Sequence, residues 1–398
     1  MSSTKLKTNG EWLVWARRTA HYKTEDIAKK IQKNPETIKK WEKTGEIAFK
    51  DLEKLAEEYQ RPTTIFFNDD APEYERELID FRTIGSIKKD NITPEIAFEI
   101  RRARVRRQTL LNLEHESDEL EIPLFPFDKF QVNNIDDNHQ ILRDLLGLNR
   151  VRMKEKLEHW TDKIESLGVL IFEFYGISPE KLRGYALYYD KLPIIGINHR
   201  ETANPKKFTL FHELAHITMK KEGISNLNEY QFTNNEEFLC NKIAAETLIP
   251  DNLFIERSKS KKMDSFNVED IKNLANYFHV SKQLIVRRAL TLNLITKEEY
   301  NDRTDEFKSY INKKSKKQNK KSDNTQLTDK ETDPKIGLYN KAIIALRKNG
   351  KYFTKSLFEA YNNELITDID LTLELGVSLD VMRKMKEISN QGESNESS

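Results

Sequence analysis

The sequence predicts an α+β fold that is predominantly helical: a helical bundle first, a central domain with a small sheet next, and a small helical module last. Three observations predict it. Apolar residues recur three or four positions apart over most of the 398 residues, which is the helical period. Runs of strand character crowd into one segment, Val169 to Asn198. Asn312 to Pro334 is rich in Lys, Asn, Ser, Thr and Asp with almost no apolar residue, so it cannot bury enough surface to fold and reads as a flexible linker. The expected divisions are a bundle over 1–70, a helical connector over 71–127, the central domain over 128–311, the linker over 312–334 and the terminal module over 335–390.

Composition narrows the classes. The 66 Lys and Arg balance 65 Asp and Glu to a net charge of +1, so bulk charge selects no polyanionic partner and only local clusters can. Cys240 is the single cysteine, which excludes an intrachain disulfide framework and a cysteine-rich metal site and points to a reducing compartment. The start, MSSTKLKTNGEW, has no apolar stretch of signal-peptide length, and Leu192 to Ile197 is far too short to span a bilayer. The expectation is a soluble, cytoplasmic protein with no membrane partner.

In the bundle, Glu11 to Ala20 predicts a helix with Trp12, Leu13, Trp15 and Ala16 inward. Thr24 reads as the N-cap of a second helix, in which Ile27, Ala28 and Ile31 recur. Asn34 caps and Pro35 opens a third, which carries Ile38 and Trp41 and stops at Gly45. Phe49 to Tyr59 is a fourth that buries Leu52, Leu55 and Ala56. The second and third, with their turn, form a helix-turn-helix. IAKKI, NPETIKKWEKTG and LEKLAEEY together resemble the XRE/Cro-type DNA-binding domain. The resemblance implies DNA as a partner and a homodimer on two half-sites, with Glu36, Thr37, Lys39 and Lys40 at the start of the third helix as DNA-binding candidates. Glu25 stands where such domains often carry glutamine, and Glu36 is an odd neighbour for a phosphate. The competing reading is a bundle kept for dimerisation or partner docking.

The connector turns helical at Pro94. Arg101, Arg102, Arg104, Arg106 and Arg107 crowd into about two turns. They project in several directions and Glu95, Glu99, Glu114 and Glu116 flank them, so a solvated or salt-bridged helix is favoured over a phosphate-facing one.

The central domain opens with helices over Asn138 to Leu148 and Met153 to Leu167, the second with Trp160 and Ile164 inward and Gly168 as its stop. A strand follows over Val169 to Phe174. Gly184 to Tyr189 and Leu192 to Asn198, with Asp190 and Lys191 between them, predict a hairpin. The edge of its second strand is a place where an extended peptide could add by backbone hydrogen bonds.

Next comes FTLFHELAHI, Phe208 to Ile217. At about 100° and 1.5 Å per residue, His216 lies about 40° around and 6 Å along the helix from His212, so one cation can be reached by both imidazoles. Glu213 projects about 60° from His216, a poor angle for a ligand and a suitable one for a general base acting on a water at that cation. Leu210, Phe211, Leu214 and Ile217 form the buried arc. The bland alternative is a core helix with two satisfied histidines. A third ligand is offered by Glu237 in EEFLCNKIAAETLIP, with Glu236 as the competitor. Asn241, one turn on, is a candidate to orient a ligand from behind. Two His and one Glu leave a position open for water, as catalytic zinc sites do. His199 reads as an ordinary loop histidine, and Tyr185 and Tyr230 are the two candidates for an oxyanion donor.

GVLIFEF, RGYALYYDKLPIIGIN, FTLFHELAHI and the EEFLCNKIAAETLIP helix, in that order, resemble the ImmA/IrrE family of metallopeptidases, which has a gluzincin-like fold and commonly carries an XRE-like fusion. The resemblance spans roughly residues 128–300, with the FRT of Phe81 to Thr83 also familiar from the fused members. It implies a Zn2+ cofactor held by His212, His216 and Glu237, Glu213 as catalytic base, and a transcriptional repressor or antitoxin-like protein as substrate. Cys240 replaces the usual alanine, Ile243 a phenylalanine and Lys207 an arginine. The first two are apolar swaps that should leave the metal site intact.

In the tail, Val268 to Leu294 has a second helix-turn-helix look but reads as core packing. Lys313 to Lys321 could touch phosphates, with a solvated spacer as the default. Ile336 to Ile388 regains helical periodicity, and Gln391 to Ser398 should fray. Two functions compete. One is a zinc endopeptidase and transcriptional regulator; the other is a DNA-binding repressor or antitoxin whose zinc is structural or sensory. Glu213 favours the first, because a structural site needs no base.

Overall fold

The computed structural model describes residues 5–70, 92–116, 121–130, 137–148, 155–219, 223–225, 235–260, 266–318 and 337–396. Phe81 to Thr83 and Tyr230 lie outside them. The chain forms two compact units, Met1–Val105 and Arg106–Ser398. Among the described residues no helix is long and apolar enough to cross a membrane.

The first unit contains β1 (Lys5–Lys7), α1 (Gly10–Thr19), α2 (Thr24–Lys30), α3 (Pro35–Thr44), β2 (Glu46–Ala48) and α4 (Phe49–Tyr59). Asn9 caps α1 by accepting from the Glu11 N–H at 3.0 Å, and Asn34 caps α3 by accepting from the Glu36 N–H at 3.0 Å. Helix α2 begins one residue earlier than expected. Lys23 holds the N-cap position and makes no side-chain cap, so Thr24 is the first helical residue. Gly45 ends α3 at φ 67°, and a Cβ there would stand 2.0 Å from the Thr8 carbonyl oxygen, so only glycine lets β1 and β2 pair beside the helix end. Leu13, Ala16, Ile27, Ile38, Trp41, Leu52, Leu55 and Phe66 share one core. Trp12 is only partly buried against it.

Helix α5 (Pro94–Glu116) carries the arginine cluster. Arg102 pairs with Glu99 at 3.9 Å, as the salt-bridged reading expects, while Arg101, Arg106 and Arg107 reach other elements. In the first unit Arg101 donates to the carbonyls of Tyr59 and Gln60 at 2.9 and 3.1 Å, closing the carboxyl end of α4. In the second, Arg107 donates to the Lys191 carbonyl at 2.8 Å and stacks on Tyr189, and buried Arg106 sits over the Phe172 ring.

The second unit holds a four-stranded sheet of β3 (Leu170–Phe174), β4 (Gly184–Leu187), β5 (Ile194–Asn198) and β6 (Gly223–Ser225) in the order β3-β5-β4-β6. The expected hairpin is present, with Gly184 paired to Ile197 and Leu187 to Ile194. The expectation that the edge of β5 could take a peptide is corrected: β5 is paired on both sides, parallel to β3 and antiparallel to β4. Every residue of β4 and β5 is buried because both faces of the sheet are covered. Ile171, Ala186, Ile195 and Ile197 face α8 (Ala203–Thr218), packing with Leu210, Phe211 and Leu214. On the opposite face Phe174 stacks on Tyr185 at 5.7 Å, and Phe172 meets Phe353 edge-on at 6.3 Å. A Cβ at Gly196 would fall 2.0 Å from the Tyr185 ring, so that position must be glycine.

Phe353 belongs to the carboxyl-terminal helices, α14 (Leu338–Asn349), α15 (Lys351–Asn362), α16 (Asp368–Leu375) and α17 (Leu379–Glu396). These helices are therefore part of the second unit and not a detached module. Helix α13 (Lys297–Gln318) also runs seven residues into the expected linker, because Lys and Gln are good helix formers once a preceding helix nucleates them; residues 319–336 lie outside the described residues. Between α6 (Asn138–Leu145) and β3 stands α7 (Leu157–Glu165). After α8 come α9 (Asn235–Leu248), α10 (Asp251–Ser260), α11 (Val268–Phe278) and α12 (Lys282–Thr291). Ile271, Leu274, Phe278, Ile285 and Ala289 of α11 and α12 lie in the same core as the metal helix, as the core-packing reading requires.

The seam between α7 and α15 contains Glu165, which accepts from the Tyr352 N–H at 3.2 Å, while Lys351 pairs with Asp162 at 2.8 Å. Burial pushes the Glu165 carboxyl up to about 8, against the partial relief given by the Tyr352 N–H and Lys351. The folded form thus holds a proton that the unfolded chain releases near 4.5. The stability this proton confers is full below that pH and is lost as pH rises to about 8. Wild-type melting temperature should fall across this window relative to Glu165→Gln, which keeps the neutral form; parallel melting curves for the two chains would refute the assignment.

Candidate metal centre

Helix α8 enters the core with Leu210, Phe211, Leu214, Ala215 and Ile217 fully buried, and α9 packs against it. This crossing brings Glu237 to the two histidines that α8 holds one turn apart. The Nε2 atoms of His212 and His216 are 3.2 Å apart, and Glu237 places Oε2 3.3 Å from the first and Oε1 3.1 Å from the second. All three residues are buried or nearly so. Burial lowers the His216 pKa, with Glu237 pulling the other way. Burial would raise the Glu237 pKa, but hydrogen bonds from the two imidazoles outweigh it and hold the carboxyl well below the usual carboxylate range.

Donors around a tetrahedral cation with bonds of about 2.0–2.1 Å stand about 3.3–3.4 Å apart. The triangle of His212, His216 and Glu237 therefore fits one metal ion with little adjustment, and these three form the candidate metal-holding group among the described residues. Glu236 does not join it. Glu213 is fully buried beside the histidines and faces β4 at Gly184. Asn241 donates to the main-chain oxygen of Glu237 at 2.8 Å, within its own helix. It thus braces the turn carrying the carboxylate from the backbone side.

The remaining expected residues divide clearly. Tyr185 is on the sheet face opposite α8, since Gly184 faces α8 and successive strand residues alternate, so it cannot reach the metal centre as an oxyanion donor. His199 stacks on Tyr175 at 4.0 Å. Cys240 and Ile243 are packing residues, 0% and 1% exposed. Lys207 is buried, donates to the Glu155 carbonyl at 3.4 Å and has its pKa lowered by burial. In the other unit Glu36, Lys39 and Lys40 are exposed on α3 and Thr37 is half-buried, with Lys39 paired to Glu36 at 2.8 Å.

Sequence reasoning missed the groups that fix α9. Arg143 donates to the Thr247 carbonyl at 2.6 Å and Arg288 to the Ile249 carbonyl at 3.2 Å, both closing its carboxyl end. Arg288 also pairs with Glu246 at 3.3 Å and with Asp251, and His139 reaches the other Glu246 oxygen at 3.3 Å. Burial lowers the pKa of both arginines. No periodicity marks such residues, because an arginine in an amphipathic helix normally reads as its wet face.

No curated protein matches the chain. Residues 164–290, which carry the sheet and the whole His212, His216 and Glu237 cluster, match the family model of the IrrE N-terminal-like domain, Peptidase_M78, and that cluster could hold a metal ion.

Proposed function

We propose that this chain is a zinc-dependent endopeptidase and transcriptional regulator, which cleaves a repressor or antitoxin-like protein and carries an amino-terminal XRE/Cro-type helix-turn-helix domain that binds DNA. The observation that supports the chemistry best is the buried triangle of two imidazoles and one carboxylate with Glu213 adjacent to it. Two His and one Glu are the donor set of catalytic zinc, with a coordination position left for water or substrate. Bound there, zinc supplies Lewis-acid polarisation of the scissile carbonyl and acidifies water. Glu213 takes the proton of the attacking water and delivers it to the leaving amine. Its burial excludes bulk water, so the proton stays within the site. Strand β6, the outer strand beyond β4 among the described residues, is where an extended peptide would pair.

The test is to incubate the purified chain with repressors encoded nearby and to read cleavage by mass spectrometry. Cleavage should stop after chelation and return with zinc. Full metal occupancy with no cleavage of any candidate would favour a structural or sensory zinc site and sink the peptidase reading.

DNA binding rests on the exposed face of α3. The Glu36–Lys39 pair means that a phosphate must compete with a carboxylate for that ammonium, so Lys40 carries the larger share. In a mobility-shift series at rising salt, Lys39→Ala with Lys40→Ala should weaken binding and reduce the slope of log K against log salt by about 1–2. Binding indifferent to both lysines would remove the assignment of α3 to DNA.

A further inference from the structure

We propose that Gly184 is a positioning residue for the catalytic base: its missing side chain is the space that the Glu213 carboxylate occupies. This rests on the peptidase reading and gives Gly184 a role of its own beside the base. Gly184 opens β4, paired to Ile197 on β5 and to Ser225 on β6. A Cβ built on it would stand 2.8 Å from Glu213 Oε1, 3.1 Å from Glu213 Cγ and 2.6 Å from the Thr209 methyl. Its φ lies outside the left-handed region, so the backbone would accept any L residue. Space alone demands glycine here. That separates it from Gly45 and Gly350, where a positive φ is also at stake.

Which neighbour would yield to an added methyl decides the effect. Thr209 is held, since its hydroxyl donates to Glu201 Oε2 at 2.8 Å and Glu201 in turn faces Arg183 at 3.4 Å. Rotating Thr209 would break a buried hydrogen bond, and Thr209 is 4% exposed. The terminus of Glu213 is the softer partner, with three side-chain torsions to turn. An alanine at 184 would therefore press on both the Thr209 methyl and the carboxylate and turn the carboxylate away from the point where it meets water, while none of the three nearest atoms it would meet belongs to His212, His216 or Glu237.

The first measurement needs no activity. In the metal-free protein, Gly184→Ala should lower the urea midpoint, and should lower it less in a Glu213→Ala background, where one of the two colliding side chains is gone and the Thr209 methyl remains. Equal losses in both backgrounds would overturn the contact. The second uses the zinc-loaded chain and the partner protein that the cleavage screen identifies. Gly184→Ala should cut kcat about 100-fold, the usual consequence of displacing a reacting group by an ångström, with KM and zinc content unchanged and the acid limb of the kcat profile moved. Adding Thr209→Ser, which keeps the hydroxyl and removes the methyl, should recover at least about tenfold of that loss. A raised KM with kcat intact, lost zinc, or no recovery would overturn the positioning role. Coupling in the first measurement with no cleavage by the wild-type chain would overturn the peptidase reading instead, so the two failures are distinguishable.

Discussion

Glu213→Gln should reduce peptide hydrolysis by on the order of 10^2–10^4-fold while the chain still binds one zinc ion. The amide is nearly isosteric with the carboxylate, so packing against β4 at Gly184 is preserved and the fold should not respond. The amide cannot accept and then return a proton, so only the chemical step suffers. Metal analysis should separate this variant from Glu237→Ala, which removes one of the three donors and leaves His212 and His216 3.2 Å apart with no anion between them. That variant should lose both zinc and activity. If Glu213→Gln retained full activity with zinc bound, the base would have to be another group, and the account of this site would fail at its centre.

Arg288→Ala should destabilise the second unit by about 3–5 kcal/mol, the cost of breaking a buried ion pair from one side. Arg288 is 2% exposed and serves the Ile249 carbonyl, Glu246 and Asp251 together. Its removal leaves a partly buried Glu246 with His139 as its neighbour and opens the carboxyl end of α9. Because α9 carries Glu237 in its first turn, zinc affinity should fall as well, although no ligand has been touched. Urea unfolding followed by tryptophan fluorescence, with zinc titration in parallel, would measure both. An effect below about 0.5 kcal/mol, the range of ordinary surface substitutions, would show that Arg143 alone suffices to close the helix.

The candidate metal-holding residues are legible because their signal is local. His212 and His216 sit one helical turn apart, and the acidic helix after them offers Glu237, with Glu236 as its competitor. The cap at Asn34 and the stop at Gly45 follow the same logic, since a cap is decided by its own few residues. Residue preference puts the cap at Thr24, one position late, because Lys23 takes it without a side-chain bond, which no residue preference announces.

Long-range placement was not legible. The strand runs announced a sheet, but not that β3 would lie parallel to β5 and shut its edge. The alternation that sends Tyr185 away from the metal centre could be used only once one residue of β4 was known to face α8. The arginines of α5 read as a charged surface, yet Arg101, Arg106 and Arg107 meet backbone carbonyls and a ring that lie tens of residues away. The carboxyl-terminal helices looked detached behind a polar segment, whereas Phe353 packs on Phe172.

By itself, then, the sequence determined the chemistry offered: two imidazoles on one helical face, a carboxylate beside them, a second acidic helix and a bundle of capped helices, each encoded by a short stretch of its own. Only the tertiary structure decided which carboxylate closes the triangle, which sheet face the metal helix covers, and why residue 184 carries no side chain. Those outcomes depend on which surfaces meet, and the free energy of such meetings comes from apolar burial shared among distant segments, which no short stretch of sequence contains.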